Sequence, residues 1–167
     1  MMLLSGLPSF DRRAPHYESH AALQREVAVW LAEWLPEKIA APALELGAGT
    51  GLFTRHLAAR THRLAACDIA PRMVAIGRAT LPAVAWSVAD AGHPPGPPGY
   101  QSVFSCSLMQ WVPDPLAAFR AWHRLAAPGA RMVSGWFIQG TLDGFYAVCP
   151  DAVPFRWRTG DEWIELL

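Results

Sequence analysis

The segment Pro42 to Gly51, PALELGAGTG, constrains the fold more than any other part of the chain. A short apolar run meets three glycines at alternate positions, Gly47, Gly49 and Gly51, and the stretch that follows, Leu52 to Arg60, reads as a helix. Strand, glycine loop and helix in that order put a turn without side chains at a helix N-terminus, where a ligand can lie against the backbone. A dinucleotide fingerprint, GxGxxG, would need a third glycine at position 52, which is Leu52. The GxGxG spacing therefore disfavours a pyrophosphate. A glycine trio also serves as a purely structural turn, so its meaning depends on what the rest of the chain brings to it.

The remaining elements repeat one pattern. Ala21, Leu23, Val27, Trp30, Leu31, Trp34 and Leu35 recur at spacings of three and four, which predicts one amphipathic helix from Ala14 to about Leu35, stopped by Pro36. Arg63 to Cys67 reads as a second strand ending at Asp68, and Pro71 suits the first turn of a helix running to about Thr80. Val84 to Val88 is a third strand ending at Asp90, and the proline and glycine of Gly92 to Gly99 make a rigid surface loop. Ser102 to Leu108 is a fourth strand, Pro115 to Ala126 a helix ended by Pro128-Gly129, and Ala130 to Phe137 a fifth strand. The alternation predicts an α/β domain with a parallel sheet, residues 14–167, behind a tail of residues 1–13. Thr159 and Glu162 match a capping box that opens a further helix, and the sequence stops at Leu167, so the domain is expected to be short at its C-terminus.

Composition limits the partners. At 167 residues, 52% apolar and 17% charged, the chain can bury a single core and is not disordered. Lys plus Arg and Asp plus Glu are both 14, so attraction to nucleic acid or anionic lipid is not built in and a small, locally recognised partner is expected. Cys67, Cys106 and Cys149 form no CxxC, which argues against a disulfide framework or zinc knuckle and for a reducing cytoplasm. The N-terminus lacks a signal-peptide pattern, and no apolar run approaches the roughly 20 residues of a membrane span. His16 and His20 lie four apart but have no further ligand spaced to join them, so no metal site is expected. Cys106 lacks a cationic neighbour in sequence and reads as an apolar residue rather than a nucleophile.

Ligands of open parallel sheets bind beyond the carboxyl ends of the strands, so the glycine loop, Asp68 and Asp90 should converge on one crevice. Asp68 follows Gly51 by seventeen positions, where a carboxylate can accept both hydroxyls of a ribose. Singly, each aspartate is as well explained by a helix N-cap or a solvated loop. Together with the loop they favour the crevice.

ELGAGTG (Glu45 to Gly51), ACDIAPRMVAIGR (Ala66 to Arg78), VAD (Val88 to Asp90) and SVFSCSLMQWVPDP resemble the class I S-adenosylmethionine-dependent methyltransferases, of the type 11 group. The resemblance spans about Phe10 to Phe137. It implies a Rossmann-like fold with strand order 3-2-1-4-5 and S-adenosyl-L-methionine as cofactor. It also implies that Gly47, Ala48, Gly49 and Gly51 lie under the methionine and ribose, with Glu45 orienting the amino end. Asp68, with Ile69 beside it, would hold the ribose hydroxyls, Asp90 and Ala91 would face the adenine, and Ser105 to Leu108, Ser107 among them, would line the methyl-transfer side.

A narrower resemblance, through FDRRAPHYESHAALQ (Phe10 to Gln24), SLMQW (Ser107 to Trp111) and IQGTL (Ile138 to Leu142), is to the malonyl-acyl-carrier-protein O-methyltransferases of biotin synthesis. Ser107 stands where that family often has asparagine, and Gln101 replaces its usual aspartate. The acceptor implied is a carboxylate, on a small molecule or on a carrier protein. Tyr17 is implied to close the pocket, and Gln110, with Trp111, to position the acceptor; read without the resemblance, Tyr17 is a helix-surface tyrosine and Trp111 core. Arg156 and Arg158 fall where a cap could bind an anion. The family fold adds two antiparallel strands beyond the fifth, which this chain is expected to lack, leaving the fifth strand as an apolar edge open to self-association.

Overall fold

The computed structural model describes residues 10–94, 96–141, 143 and 157–166. Five strands, β1 (Ala43–Leu46), β2 (Leu64–Asp68), β3 (Ala85–Val88), β4 (Tyr100–Cys106) and β5 (Ala126–Gly135), form one parallel sheet in the order β3-β2-β1-β4-β5. The strand order is that of the Rossmann-like methyltransferase fold. Chain direction through the sheet reverses at β1, which pairs with β2 on one side and β4 on the other. That switch point is where an open α/β sheet leaves a crevice.

Strand alternation sorts side chains onto two faces. Ala43, Ala66 and Phe104 point into a core shared with α2 (Ala22–Ala32), α3 (Thr54–Ala58) and α4 (Pro71–Thr80). Leu44, Leu46, Cys67 and Val103 point into a second core with α5 (Pro115–Leu125) and α6 (Gly160–Ile164). Both faces of the sheet are thus covered, as parallel sheets require. The β1 residues Ala43 to Leu46 are all buried, which explains why this strand reads as a continuous run rather than an alternating one.

The expected helix from Ala14 to Leu35 is instead two helices, α1 (Phe10–His20) and α2, broken at the buried Ala21 (φ −94, ψ 36). The two present their apolar residues to different surfaces. Ala14, with Phe10 and Tyr17, packs against Ala70 and Met73 near α4, whereas Ala28, Leu31 and Ala32 join the sheet core. One straight helix cannot reach both, so the chain turns between them. α1 also begins four residues before the expected helix start at Ala14. Phe10 meets Trp111 edge to face at 5.2 Å between ring centroids, and Asp11 Oδ1 accepts the Arg72 N–H at the start of α4 at 2.7 Å.

β5 starts at Ala126, directly after α5, rather than at Ala130. Pro128-Gly129 falls in an irregularity between the pairs Tyr100↔Ala126 and Ser102↔Arg131, with Gly129 at φ +76. Pairing ends at Gly135 rather than Phe137. Trp136 leaves the sheet to pack with Phe119 and Trp163, and Phe137 stacks on Trp157. The Thr159 capping box is formed in both directions, and it opens α6, whose Trp163 is buried in the second core. Leu142, Cys149 and Arg156 lie outside the described residues.

Candidate functional site

A cavity of about 990 Å³ opens at the carboxyl ends of β1, β2 and β4. Its floor is the glycine loop. Ala48 N–H donates to the Cys67 carbonyl at 2.9 Å, which ties the loop to the end of β2. Gly47 (φ +68) and Gly49 (φ +57) take the left-handed conformation that glycine adopts without strain. At Gly47 a Cβ would stand 2.6 Å from Leu108 Cδ1, whereas at Gly49 it would meet nothing within 4 Å. The open side of Gly49 therefore leaves backbone accessible to a ligand.

Three carboxylates stand around this floor. Both oxygens of Asp68 accept backbone N–H groups, Oδ2 from Gly49 at 2.8 Å and Oδ1 from Ala70 at 2.9 Å. Burial pushes its carboxyl above the usual range, against the pull of these bonds. Each oxygen keeps a further acceptor site, the pattern a diol needs. Glu45 is 1% exposed and its Oε2 has no partner among the described residues. Burial drives its carboxyl up to about 8; the nearby Thr54 hydroxyl opposes this and Asp68 adds to it. Asp90, more exposed, accepts Gly92 N–H at 2.8 Å, while Ala91 beside it is buried and its carbonyl accepts the Trp122 indole N–H at 2.7 Å.

The opposite wall comes from α1 and the chain after β4. Tyr17 lines the cavity, and burial, followed by the charge of Asp68, pushes its hydroxyl up to about 12. It is a phenol at neutral pH, able to donate a hydrogen bond but not to act as a base. Ser107 holds φ +55, a conformation that asparagine tolerates better than most residues, which accounts physically for the amide often found there in the resembled family. Its N–H donates to the Gly135 carbonyl at 2.7 Å, and its carbonyl accepts from Gln110 Nε2 at 2.9 Å. Gln110 Oε1 is buried and without a partner among the described residues. Cys106 also lines the cavity, with its thiol pushed up to about 12 by burial, the state of an inert thiol.

Of the residues singled out in the sequence, Tyr17, Glu45, Gly47, Ala48, Gly49, Asp68, Ile69, Asp90, Ala91, Ser107 and Gln110 meet in this cavity. Two do not. Gly51 (φ +100) faces Leu81 and Trp86, where a Cβ would come within 3.1 Å of Leu81, so it serves the packing behind the loop. Ser105 is fully buried and its hydroxyl pairs with that of Ser134 on β5, because strand alternation turns it into the sheet and leaves Cys106 at the opening. Arg158 lies over the Trp163 ring, 5.3 Å from its centroid, rather than in the cavity wall. Phe10, Arg13, Leu23, Gln24, Phe137 and Trp157 line the site without having been singled out individually. The spacing of Phe10, Arg13 and Tyr17, three and four, was the available signal for one helix face. No group of three or more His, Cys, Asp or Glu side chains suited to a metal ion occurs among the described residues. An accessible glycine backbone, a doubly held carboxylate and an orphaned buried acid together fit a ligand that carries a diol and positive charge.

Comparison with known proteins follows the same lines. The family described as a methyltransferase domain matches residues 43–129. The malonyl-[acyl-carrier protein] O-methyltransferase of Serratia marcescens is 31% identical over 135 residues, 80% of this chain and 53% of that protein. The biotin biosynthesis bifunctional protein BioHC of Cellvibrio japonicus is 34% identical over 137 residues, 80% of this chain and 27% of that protein. The chain thus spans about half the length, or less, of these curated relatives. Among solved structures, the DhpI-SAM-HEP complex superposes with a TM-score of 0.70 at 23% identity, covering 93% of this chain and 82% of that one.

Proposed function

Because the chain belongs to the methyltransferase-domain family, which matches residues 43–129, we propose that it binds S-adenosylmethionine in this cavity and methylates the carboxylate of a malonyl group carried on acyl carrier protein, in biotin biosynthesis. One observation carries the acceptor assignment. Two of the three segments that resemble the malonyl-carrier-protein enzymes beyond the generic fold face the cavity, the first through Phe10, Arg13, Tyr17 and Gln24 and the second through Ser107, Leu108, Gln110 and Trp111. The names of the curated relatives agree with it.

The bound cofactor supplies a methyl group already activated on a sulfonium sulfur. The residues of the chain hold and align the reactants. Asp68 accepts the ribose hydroxyls while it stays bonded to Gly49 and Ala70, and the open face of Gly49 seats the cofactor against the backbone. A carboxylate acceptor is ionised at neutral pH and needs no general base, which is consistent with Tyr17 held as a phenol. In this reading Tyr17 and the Gln110 amide, both lining the cavity, orient the acceptor and exclude water, and Arg13, one turn before Tyr17 on α1, brings a guanidinium suited to a carboxylate.

The test is transfer of a labelled methyl group from S-adenosylmethionine to malonyl-acyl carrier protein, with free malonate and unrelated small acids as comparison acceptors. The reading expects a labelled, base-labile ester on the carrier protein. Transfer only to a free small acceptor would overturn the acceptor assignment. Cofactor binding without transfer to any acceptor would make the chain a cofactor-binding unit that needs a partner.

A further inference from the structure

We propose that Glu45 is the charge-sensing residue of the cofactor site. It stays neutral while the cavity is empty and gives up its proton when the positively charged amino end of the cofactor enters, so that cofactor binding is coupled to proton release. The proposal rests on the cofactor reading above.

Its basis is the surroundings of one side chain. Glu45 sits in the middle of the central strand, paired in register with Ala66 and Phe104, and is 1% exposed. It reaches the cavity wall, and its Oε2 has no hydrogen-bond partner among the described residues. A buried carboxylate is tolerated only when paired, so an orphaned one is held as the acid. Among the described residues, the groups facing it from the packed elements carry no positive charge. They are Asp68 from β2, Cys106 from β4 and the Thr54 hydroxyl from α3, with Cys67 on the opposite face of β2 and Tyr17 of α1 beyond, next to Asp68 and Cys106. His93, at the cavity rim, lies against Asp90 at 3.4 Å, and Arg13 is at the exposed edge of α1. The missing countercharge has to come with the ligand. Burial already drives the Glu45 carboxyl to about 8, so the group holds its proton at neutral pH and releases it readily to solvent.

The proton balance is simple. On binding, the O–H bond of Glu45 breaks, its electron pair remains on the carboxylate and the proton passes to buffer. When the nucleoside leaves the cavity, Glu45 takes a proton back from solvent.

Calorimetry of S-adenosylmethionine binding to the whole chain at pH 7, in two buffers of different ionisation enthalpy, counts the protons directly and needs no variant. At this pH the ligand's own α-amino group is already charged. The expected result is release of close to one proton per site with S-adenosylmethionine and with S-adenosylhomocysteine, which keeps the α-ammonium, and none with adenosine. Between pH 6 and 7 the affinity for S-adenosylmethionine should rise about tenfold. In Glu45→Gln, checked for folding by circular dichroism, both effects should disappear. Binding without proton release, or release that persists in Glu45→Gln, would overturn this proposal alone. Failure of the wild-type chain to bind either nucleoside would overturn the cofactor reading and this proposal with it.

Discussion

Replacing Glu45 by glutamine should stabilise the empty protein, by an amount that grows with pH. In the unfolded chain the carboxyl ionises near its ordinary value of 4.5; in the fold, burial holds it to about 8. Below 4.5 the acid is protonated in both states and glutamine, of the same shape, changes little. Between the two values the unfolded chain has lost a proton that the folded chain retains, so wild-type stability falls with rising pH, by about 1.4 kcal/mol per unit. By pH 7 the difference from Glu45→Gln should reach about 3 kcal/mol, and it should level off above about pH 8 near 4 to 5 kcal/mol. Glu45 is fully buried, so solvent screening does not reduce these figures. Urea unfolding of both proteins from pH 4 to 9 measures the difference, which at pH 7 corresponds to a rise in Tm of roughly 6 to 12 °C for a chain of this size. A difference that is flat with pH, or a wild type that gains on the variant above pH 5, would refute the reasoning, because it would mean that the buried carboxyl is ionised and paired.

Two glycine substitutions should separate packing from binding. Gly77→Ala in α4 would place a Cβ 2.4 Å from the Trp86 ring, which is itself held by an indole hydrogen bond to the Leu81 carbonyl at 3.1 Å. Overpacking should outweigh the helix-propensity gain of about 1 kcal/mol and leave a net loss of about 1 to 2 kcal/mol, read as a lower Tm with cofactor affinity little changed; a higher Tm would show that the ring yields. Gly49→Ala meets no atom within 4 Å but must hold φ +57, so it should cost only about 1 kcal/mol of stability. Its methyl group would project into the open space assigned to the cofactor, and S-adenosylmethionine affinity should fall at least tenfold; unchanged affinity would move the ligand off the loop.

The parts of this architecture that depend on local pattern were legible in the sequence. The glycine loop, the acid ends of β2 and β3, and the capping box at Thr159 each carry their signal within a few residues, and the strand order followed from their resemblance to a known family. What escaped depends on contacts between distant segments. The three-and-four spacing runs unbroken through Ala21, and only the need to pack Ala14 on α4 and Leu31 over β5 breaks the helix there. Phe10 belongs to the site because Trp111, a hundred residues on, meets it. Ser105 and Cys106 are neighbours in sequence, and the register of β4 with β5 decides which one reaches the cavity. Gly51 follows the motif but turns to Trp86, a partner from β3 that the motif does not contain.

The most direct test of the account is the affinity of S-adenosylmethionine for the wild-type chain and for Asp68→Ala, measured by calorimetry alongside a thermal melt of each. Asp68 is assigned two charge-assisted hydrogen bonds to the ribose, each worth about 1.5 to 3 kcal/mol, so the variant should bind at least a hundredfold more weakly while still melting cooperatively. A folded Asp68→Ala protein that binds S-adenosylmethionine as tightly as the wild type would contradict the assignment of this cavity as the cofactor site.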